Sequence, residues 1–252
     1  MKCMRNASGT WRWSVVWALA AAFAPGARAA DLEALTEDWP PYNFAQDGAA
    51  AGIATDLLRE MCAEARLACD IRIVPWARGY SHVLATPNTL LYTTARTLER
   101  ERSFLWIGPY LPRQTWIFER RDKPLKLQKL ADLNQYRVGV VRGDAAVEDL
   151  LREGVQRQQL EMVATELINL RKLMAAHVDA ITGTEVGVAW TLHGQGLNRD
   201  TLQKSLQLSA SGGYYFAVNP GTNPEIVQKL RETFARLQAQ HRIEALTAKY
   251  LD

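Results

Sequence analysis

Three arginines and two glutamates fall within seven residues of the stretch TTARTLERERSFLWIGPY, residues 93–110: Arg96, Glu99, Arg100, Glu101 and Arg102. An arginine holds a carboxylate through two parallel hydrogen bonds, because its guanidinium is a planar fork; a lysine cannot do this. Charge-assisted bonds of that kind contribute on the order of 1.5–3 kcal/mol each. The same charges on the outer side of a helix turn contribute only tenths of a kcal/mol. The chemistry at stake is anion capture by one inward arginine, set against ordinary surface charge.

Other stretches carry groups suited to the same task. Trp39 and Tyr42 flank Pro40-Pro41 in EDWPPYNF. Proline fixes φ, so this turn holds its aromatics with little entropy to lose. WARGY, residues 76–80, sets Trp76, Arg78 and Tyr80 close together, where Arg78 either adds to a positive cleft or sits at the surface. In YRVGVVRGDAAVEDLL a strand pattern runs through Arg142 and Gly143 straight into a helix, and free N–H groups at a helix start suit an anion. Asp144 competes with that reading as the helix N-cap. His82, His177, His193 and His241 are scattered and match no metal-ligand spacing, so neither a metal nor a cofactor is expected. The sequence also carries no nucleophile elbow and no phosphate loop.

The N-terminus stands apart from all of this. Residues 1–29 begin with Lys2, Arg5 and Arg12, pass through an apolar stretch from Val15 to Ala24, and end on Ala27-Arg28-Ala29. That order is a charged region, a short apolar region and small residues before a cleavage point. The apolar stretch is short for a membrane span. A signal peptide cleaved after Ala29 is expected, with a retained anchor as the alternative. The whole chain has 30 basic and 27 acidic residues, a formal net charge of +3. The leader holds four basic residues and no acidic one, so 26 basic residues remain against 27 acidic, about −1. No broad basic field is left to suggest nucleic acid, and any anion binding must be local.

Cys62 and Cys69 remain after the leader is removed. An exported chain meets an oxidising compartment, so the pair reads as a disulfide, with two free core cysteines as the alternative. The ring is short, and the loop model gives it about 2.5 kcal/mol at most. Roughly 220 residues, at 48% hydrophobic overall, bury one large core or two smaller ones.

The elements that must position these residues alternate. Strand patterns are expected at 32–36, 70–75, 89–94, 113–120, 136–141, 160–164 and 178–183. Helices are expected at 52–65, where Ile53, Leu57, Met61 and Ala65 share one face, after Gly143 up to Gly154, at 166–177, at 223–240 and at the C-terminus. The stretch 206–220 reads as extended with two glycines. Strands alternating with helices argue for α/β sheets with crossover connections. Changes of character near 113–123 and 207–213 fit chain crossings between two lobes, and clefts in such sheets are where ligands bind.

Taken in order, EDWPPYNF, GIATDLL, the Cys62/Cys69 pair, VPWARGY, RTLERERSFLWIGPY, YRVGVVRGDAAVEDLL, HVDAITG and GGYYFAVNPG resemble the family 3 extracellular solute-binding proteins over nearly all of residues 31–251. These are periplasmic receptors that feed amino-acid-type ABC transporters. The resemblance implies an α/β, two-lobed periplasmic-binding-protein fold of type II, with two crossovers and a ligand cleft between the lobes. Lobe 1 would be 30–113 plus 211–252 and lobe 2 would be 114–210. The six residues between the cysteines match a disulfide found in some members.

The resemblance also assigns roles. Trp39 and Tyr42 would cover the ligand from lobe 1. Arg100, in TLER, looks like the family arginine that clamps a ligand carboxylate. Arg96 is a second anion contact or a salt-bridge partner, and Thr93 would offer a hydroxyl or backbone contact. Trp76 and Arg78 would lie near the cleft, and Arg142 and Gly143 would face it from lobe 2. Two departures stand out. The family often has a threonine shortly after the glycine, and here Asp144 and Ala145 follow Gly143. The family's α-amino-acid binders carry an aspartate five positions after Asp179 to hold the ligand ammonium, and here that position is Thr184, with Glu185 next to it. Burying an unpaired ammonium is costly, so either Glu185 substitutes or the ligand is not an ordinary α-amino acid.

The expected function is capture of a small polar, carboxylate-bearing ligand, an amino acid or a relative of one, by a monomeric periplasmic receptor serving an ABC permease of the inner membrane. An alternative from another class is a dehydratase acting on cyclohexadienyl acids, a non-binding role on the same fold, with Glu185 as general acid. A third is a domain that docks on a sensor kinase or an accessory enzyme.

Overall fold

In a computed structural model, residues 30–210 and 212–251 are described; the expected leader, residues 1–29, lies outside them. The chain opens with β1 (Leu32–Thr36), a short hairpin of β2 (Phe44–Gln46) and β3 (Ala49–Ala51), and helix α1 (Ile53–Ala65). It continues through β4 (Cys69–Ile73), α2 (Trp76–Ala85), β5 (Thr89–Ala95) and β6 (Leu105–Pro112). Next come β7 (Thr115–Arg120), β8 (Val138–Val141), α3 (Ala145–Arg152), β9 (Leu160–Val163), α4 (Glu166–Met174), β10 (Ala180–Gly183), α5 (Glu185–Gly194) and β11 (Leu202–Ser209). It closes with β12 (Gly213–Val218), α6 (Pro224–Ala239) and α7 (Arg242–Leu251).

Two mixed sheets result, ordered β4-β1-β5-β12-β6 and β11-β7-β10-β8-β9. The chain passes between them twice, from β6 to β7 and from β11 to β12. The stretch expected to be one extended segment at 206–220 is therefore two strands belonging to different sheets. The periodic face of α1 is buried as its spacing requires, with Ile53 at 1% and Leu57 and Met61 at 0% exposure. β5 runs through the middle of its sheet and is buried along its whole length. Residues 76–85 form α2, an element the sequence pattern had not indicated, and Pro75 sits at its N-cap. The charged run expected as a helix turn forms one turn of 3₁₀ helix over Glu101–Ser103.

Two local features fix the aromatic turn. Gly52 adopts φ 115°, and a Cβ there would lie 2.5 Å from the Tyr42 carbonyl oxygen. Only glycine allows this approach, and it lets Ile53 N donate to Pro41 O (3.1 Å) and Ala54 N to Tyr42 O (2.9 Å). The start of α1 thus carries the turn. Behind it, the fully buried Asn43 donates to Glu37 O (2.7 Å) and accepts from Thr93 Oγ1.

Cys62 on α1 and Cys69 at the start of β4 form a disulfide, with Cα atoms 6.2 Å apart. It closes a short ring over a helix end that already turns through a left-handed Arg66. Replacing both cysteines by serine should cost about 2 kcal/mol and lower Tm by about 5 °C. Differential scanning calorimetry of the double variant checks this, and an unchanged Tm would refute it.

Candidate functional site

The two sheets meet across a cleft, and the side chains around it come from both. From lobe 1, Trp39 and Tyr42 stack at 4.6 Å between ring centroids, and Tyr214 on β12 closes the group at 5.3 Å from Trp39 and 6.0 Å from Tyr42. From lobe 2, Thr184 caps α5 by accepting from Gly187 N (3.1 Å). The Tyr42 hydroxyl reaches across to donate to the same Thr184 oxygen (3.2 Å). Trp39 faces Glu166, Leu170, Ile181 and Gly183 over a cavity of about 10 Å³. That is room for about one water molecule, so the lobes are shut on each other.

Arg100 is at the centre of this closure and is 2% exposed. Its Nε and Nη2 donate to Glu148 Oε1 of α3 at 3.0 and 2.7 Å, and Nη2 also donates to Gly143 O at 2.9 Å. Its guanidinium lies over Trp76 and Tyr80, 5.9 and 5.4 Å from the ring centroids. Trp76 Nε1 donates to the same Gly143 carbonyl (2.8 Å), and Thr97 Oγ1 donates to Glu148 Oε2 (2.9 Å). At the rim Arg152 pairs with Glu99 at 2.7 Å. What Arg100 holds here is a carboxylate of its own chain.

Of the residues singled out in sequence, the cleft brings together Trp39, Tyr42, Trp76, Arg100, Gly143 and Thr184. Thr93 stands one layer back: it adopts φ 58°, its N–H donates to Tyr110 Oη (2.6 Å), and its hydroxyl bonds Asn43. A β-branched residue held at positive φ is rare, and here it braces the strand end behind the aromatic turn. Arg96 takes the salt-bridge alternative, donating to Glu101 at 2.7 and 2.5 Å and lying over Trp106 and Tyr215. Arg78 and Arg142 are exposed. Glu185 is 58% exposed and pairs with Lys204 at 2.7 Å, outside the interlobe cleft. It is not placed to substitute for the missing aspartate or to serve as a cleft acid. Asp144 is the N-cap of α3, accepting from Ala146 N (3.1 Å).

Two acids missed in the sequence, Glu37 and Glu166, join Asp144 at the site. Glu37 follows β1, Asp144 caps α3 and Glu166 starts α4, near enough for their charges to act on one another. Glu37 and Glu166 keep some exposed area yet are surrounded by protein. Burial, then the nearby charges of Asp144, Glu166 and Asp38, push the Glu37 carboxyl well above the usual range; Arg100 pulls weakly the other way. Burial and Asp144 push Glu166 up to about 8. Burial also raises the Tyr214 hydroxyl well above its ordinary value, helped by Tyr42 and Asp144. Carboxyls raised together in this way are short of a positive partner. The signal for Glu166 was its position three residues past the end of β9, at the start of α4, where strand ends line clefts.

A hinged, two-lobed solute-binding protein is the class that this fold and cleft define. The chain belongs to the bacterial extracellular solute-binding proteins, family 3, whose match spans residues 33–252. A comparison with curated proteins finds no match. Among solved structures it is similar to a histidine kinase sensor domain with similarity to periplasmic binding proteins, at TM-score 0.78 and 25% identity, covering 87% of this chain and 95% of that one. It is similar to an ancestral arginine-binding protein bound to arginine, at TM-score 0.76 and 17% identity, covering 88% and 98%. It is also similar to the arginine-, lysine-, histidine-binding protein of Geobacillus stearothermophilus, at TM-score 0.75 and 17% identity, covering 87% and 94%.

Proposed function

We propose that this chain is an exported, monomeric receptor that captures one small polar solute between its lobes and presents it to an inner-membrane ABC permease. The leader over 1–29 would direct it to the periplasm, and lobes 30–113 plus 211–252 and 114–210 would move as bodies about the two crossings. The observation that carries this reading is the shared cleft, in which each wall is supplied by a different lobe. A ligand touching Trp39 and Tyr42 on one side and Glu166 and Thr184 on the other binds the closed form better than the open one, and so drives closure. A sensor-coupled receptor is the second reading, favoured by the likeness to the histidine kinase sensor domain. Both share the binding step and differ in the partner that reads closure.

Calorimetric titration of the mature chain against amines, amino acids and organic acids tests the binding step. At least one class should bind with 1:1 stoichiometry, and Trp39→Ala should weaken it by about 10- to 100-fold, the usual cost of removing a buried aromatic anchor. Absence of binding by every class, or turnover of prephenate or arogenate, would overturn the receptor reading. Pull-down with ligand-loaded protein separates a permease from a sensor kinase as partner.

A further inference from the structure

We propose that Glu148 is a built-in rival of the solute: its carboxylate takes the seat on Arg100 that a carboxylate-bearing solute must win, so that binding proceeds by displacing it. This rests on the receptor reading above and adds a regulation of the same site. The seat is complete. Arg100 Nε and Nη2 both donate to Glu148 Oε1, at 3.0 and 2.7 Å, and Thr97 Oγ1 donates to Oε2 at 2.9 Å. A guanidinium edge for one oxygen and a hydroxyl for the other is what a free carboxylate would seek from the same groups. Both donors belong to lobe 1. So do Trp76 and Tyr80, whose rings lie 5.9 and 5.4 Å from the guanidinium. The seat therefore stays formed when lobe 2 moves away.

The occupant, by contrast, is free to leave. Among the described residues every hydrogen bond to the Glu148 carboxylate comes from lobe 1, so no donor of its own lobe holds it in place. Its side chain is 27% exposed, against 2% for Arg100, so it can turn out to water while the arginine cannot. The next residue of α3, Asp149, pairs with Arg113 at the first crossing, and Arg113 Nη1 donates to Ser209 Oγ (3.1 Å) beside the second. Asp149 thus keeps α3 at the crossings when Glu148 swings away. Docking of the lobes alone would not need Glu148, because the half-exposed Arg152 and Glu99 already pair across the rim. Glu148 reaches past that rim to the buried guanidinium. A rival carried by the same molecule acts at an effective concentration on the order of millimolar. The apparent affinity of a solute falls by the fraction of molecules whose seat is free. A bare carboxylate loses this contest, and a solute that also touches Trp39 and Tyr42 gains enough to win. Glu148 so sets a threshold that simple acids fail.

Calorimetric titration of the mature protein, of Glu148→Gln and of Glu148→Asp tests this. The probes are L-arginine, L-glutamate and succinate, with agmatine as an amine that has no carboxylate, alongside the wider panel. Glutamine keeps the shape and loses the charge, so every carboxylate that binds should bind about tenfold tighter to Glu148→Gln, while agmatine changes by less than about twofold. Aspartate keeps the charge but is too short to reach Arg100 from the same backbone, so Glu148→Asp should also tighten carboxylate binding. Circular dichroism should be unchanged in both. Equal or weaker binding of carboxylates by both variants would make the pair a latch and nothing more, which overturns the inference and leaves the receptor reading standing. Tightening in Glu148→Gln alone, a mere field effect, does the same, and so does binding of amines but of no carboxylate. Binding of no class at all overturns both.

Discussion

Arg100→Ala opens the ligand-free protein. The guanidinium joins Glu148 and the Gly143 carbonyl of lobe 2 from a position in lobe 1, and it is 2% exposed while Glu148 is 27% exposed. Removing it leaves a partly buried carboxylate and a carbonyl with one donor fewer, the latter still held by Trp76. Truncating one member of a buried charge pair costs about 3–5 kcal/mol. The exposure of Glu148 and the rehydration of both groups on opening reduce this to about 2–3 kcal/mol. At 1.4 kcal/mol per decade, the closed-to-open ratio should fall roughly 30- to 140-fold. Distance distributions between labels on the two lobes, or small-angle scattering, should show an expanded molecule without ligand. Arg100→Lys should lie between, because an ammonium keeps the charge but not the fork that reaches both partners. The lobes themselves should keep their unfolding temperature, since the pair joins lobes rather than core elements. Identical scattering from variant and wild type would refute the latch.

Much of the scaffold that makes this latch was legible in the sequence, and the latch was not. The spacing of Ile53, Leu57, Met61 and Ala65 is a local pattern, and the helix follows because those side chains share one buried face. The strand runs at 32–36 and 89–94 are likewise set by neighbours in sequence. The order of motifs was enough to indicate the family. Arg100 was singled out because TLER resembles the family motif and a guanidinium fork suits a carboxylate, but the carboxylate it holds lies 48 residues away on another lobe, and no local pattern links the two. Glu37 sits beside Asp38 in what reads as a charged turn, and Glu166 looks like an ordinary first-turn acid after the cap Thr165. Their meaning arises only when three elements converge. Thr184 was noticed as an absence of charge, and in the structure it caps α5 and receives the Tyr42 hydroxyl from the opposite lobe.

Raising the pH should open the ligand-free cleft. Glu166 faces Asp144 at the α3 cap, Glu37 after β1 and Tyr214 on β12, with Asn169 on its own helix. Its carboxyl is raised in the closed form to about 8 by burial and by Asp144. In the open form it meets water and titrates as an ordinary carboxylate. The closed form therefore holds a proton that the open form has released throughout the window between the ordinary carboxylate value and about 8. Stability of closure is fully present below that window and is lost as pH rises through it. The closed-to-open ratio of the ligand-free protein should fall by up to about tenfold per pH unit through that window and level off above about pH 8. Distance distributions between labels on the two lobes, recorded from about pH 5 to 9, should show this shift in the wild type and a much smaller one in Glu166→Gln. A distribution that does not change with pH in the wild type would refute it.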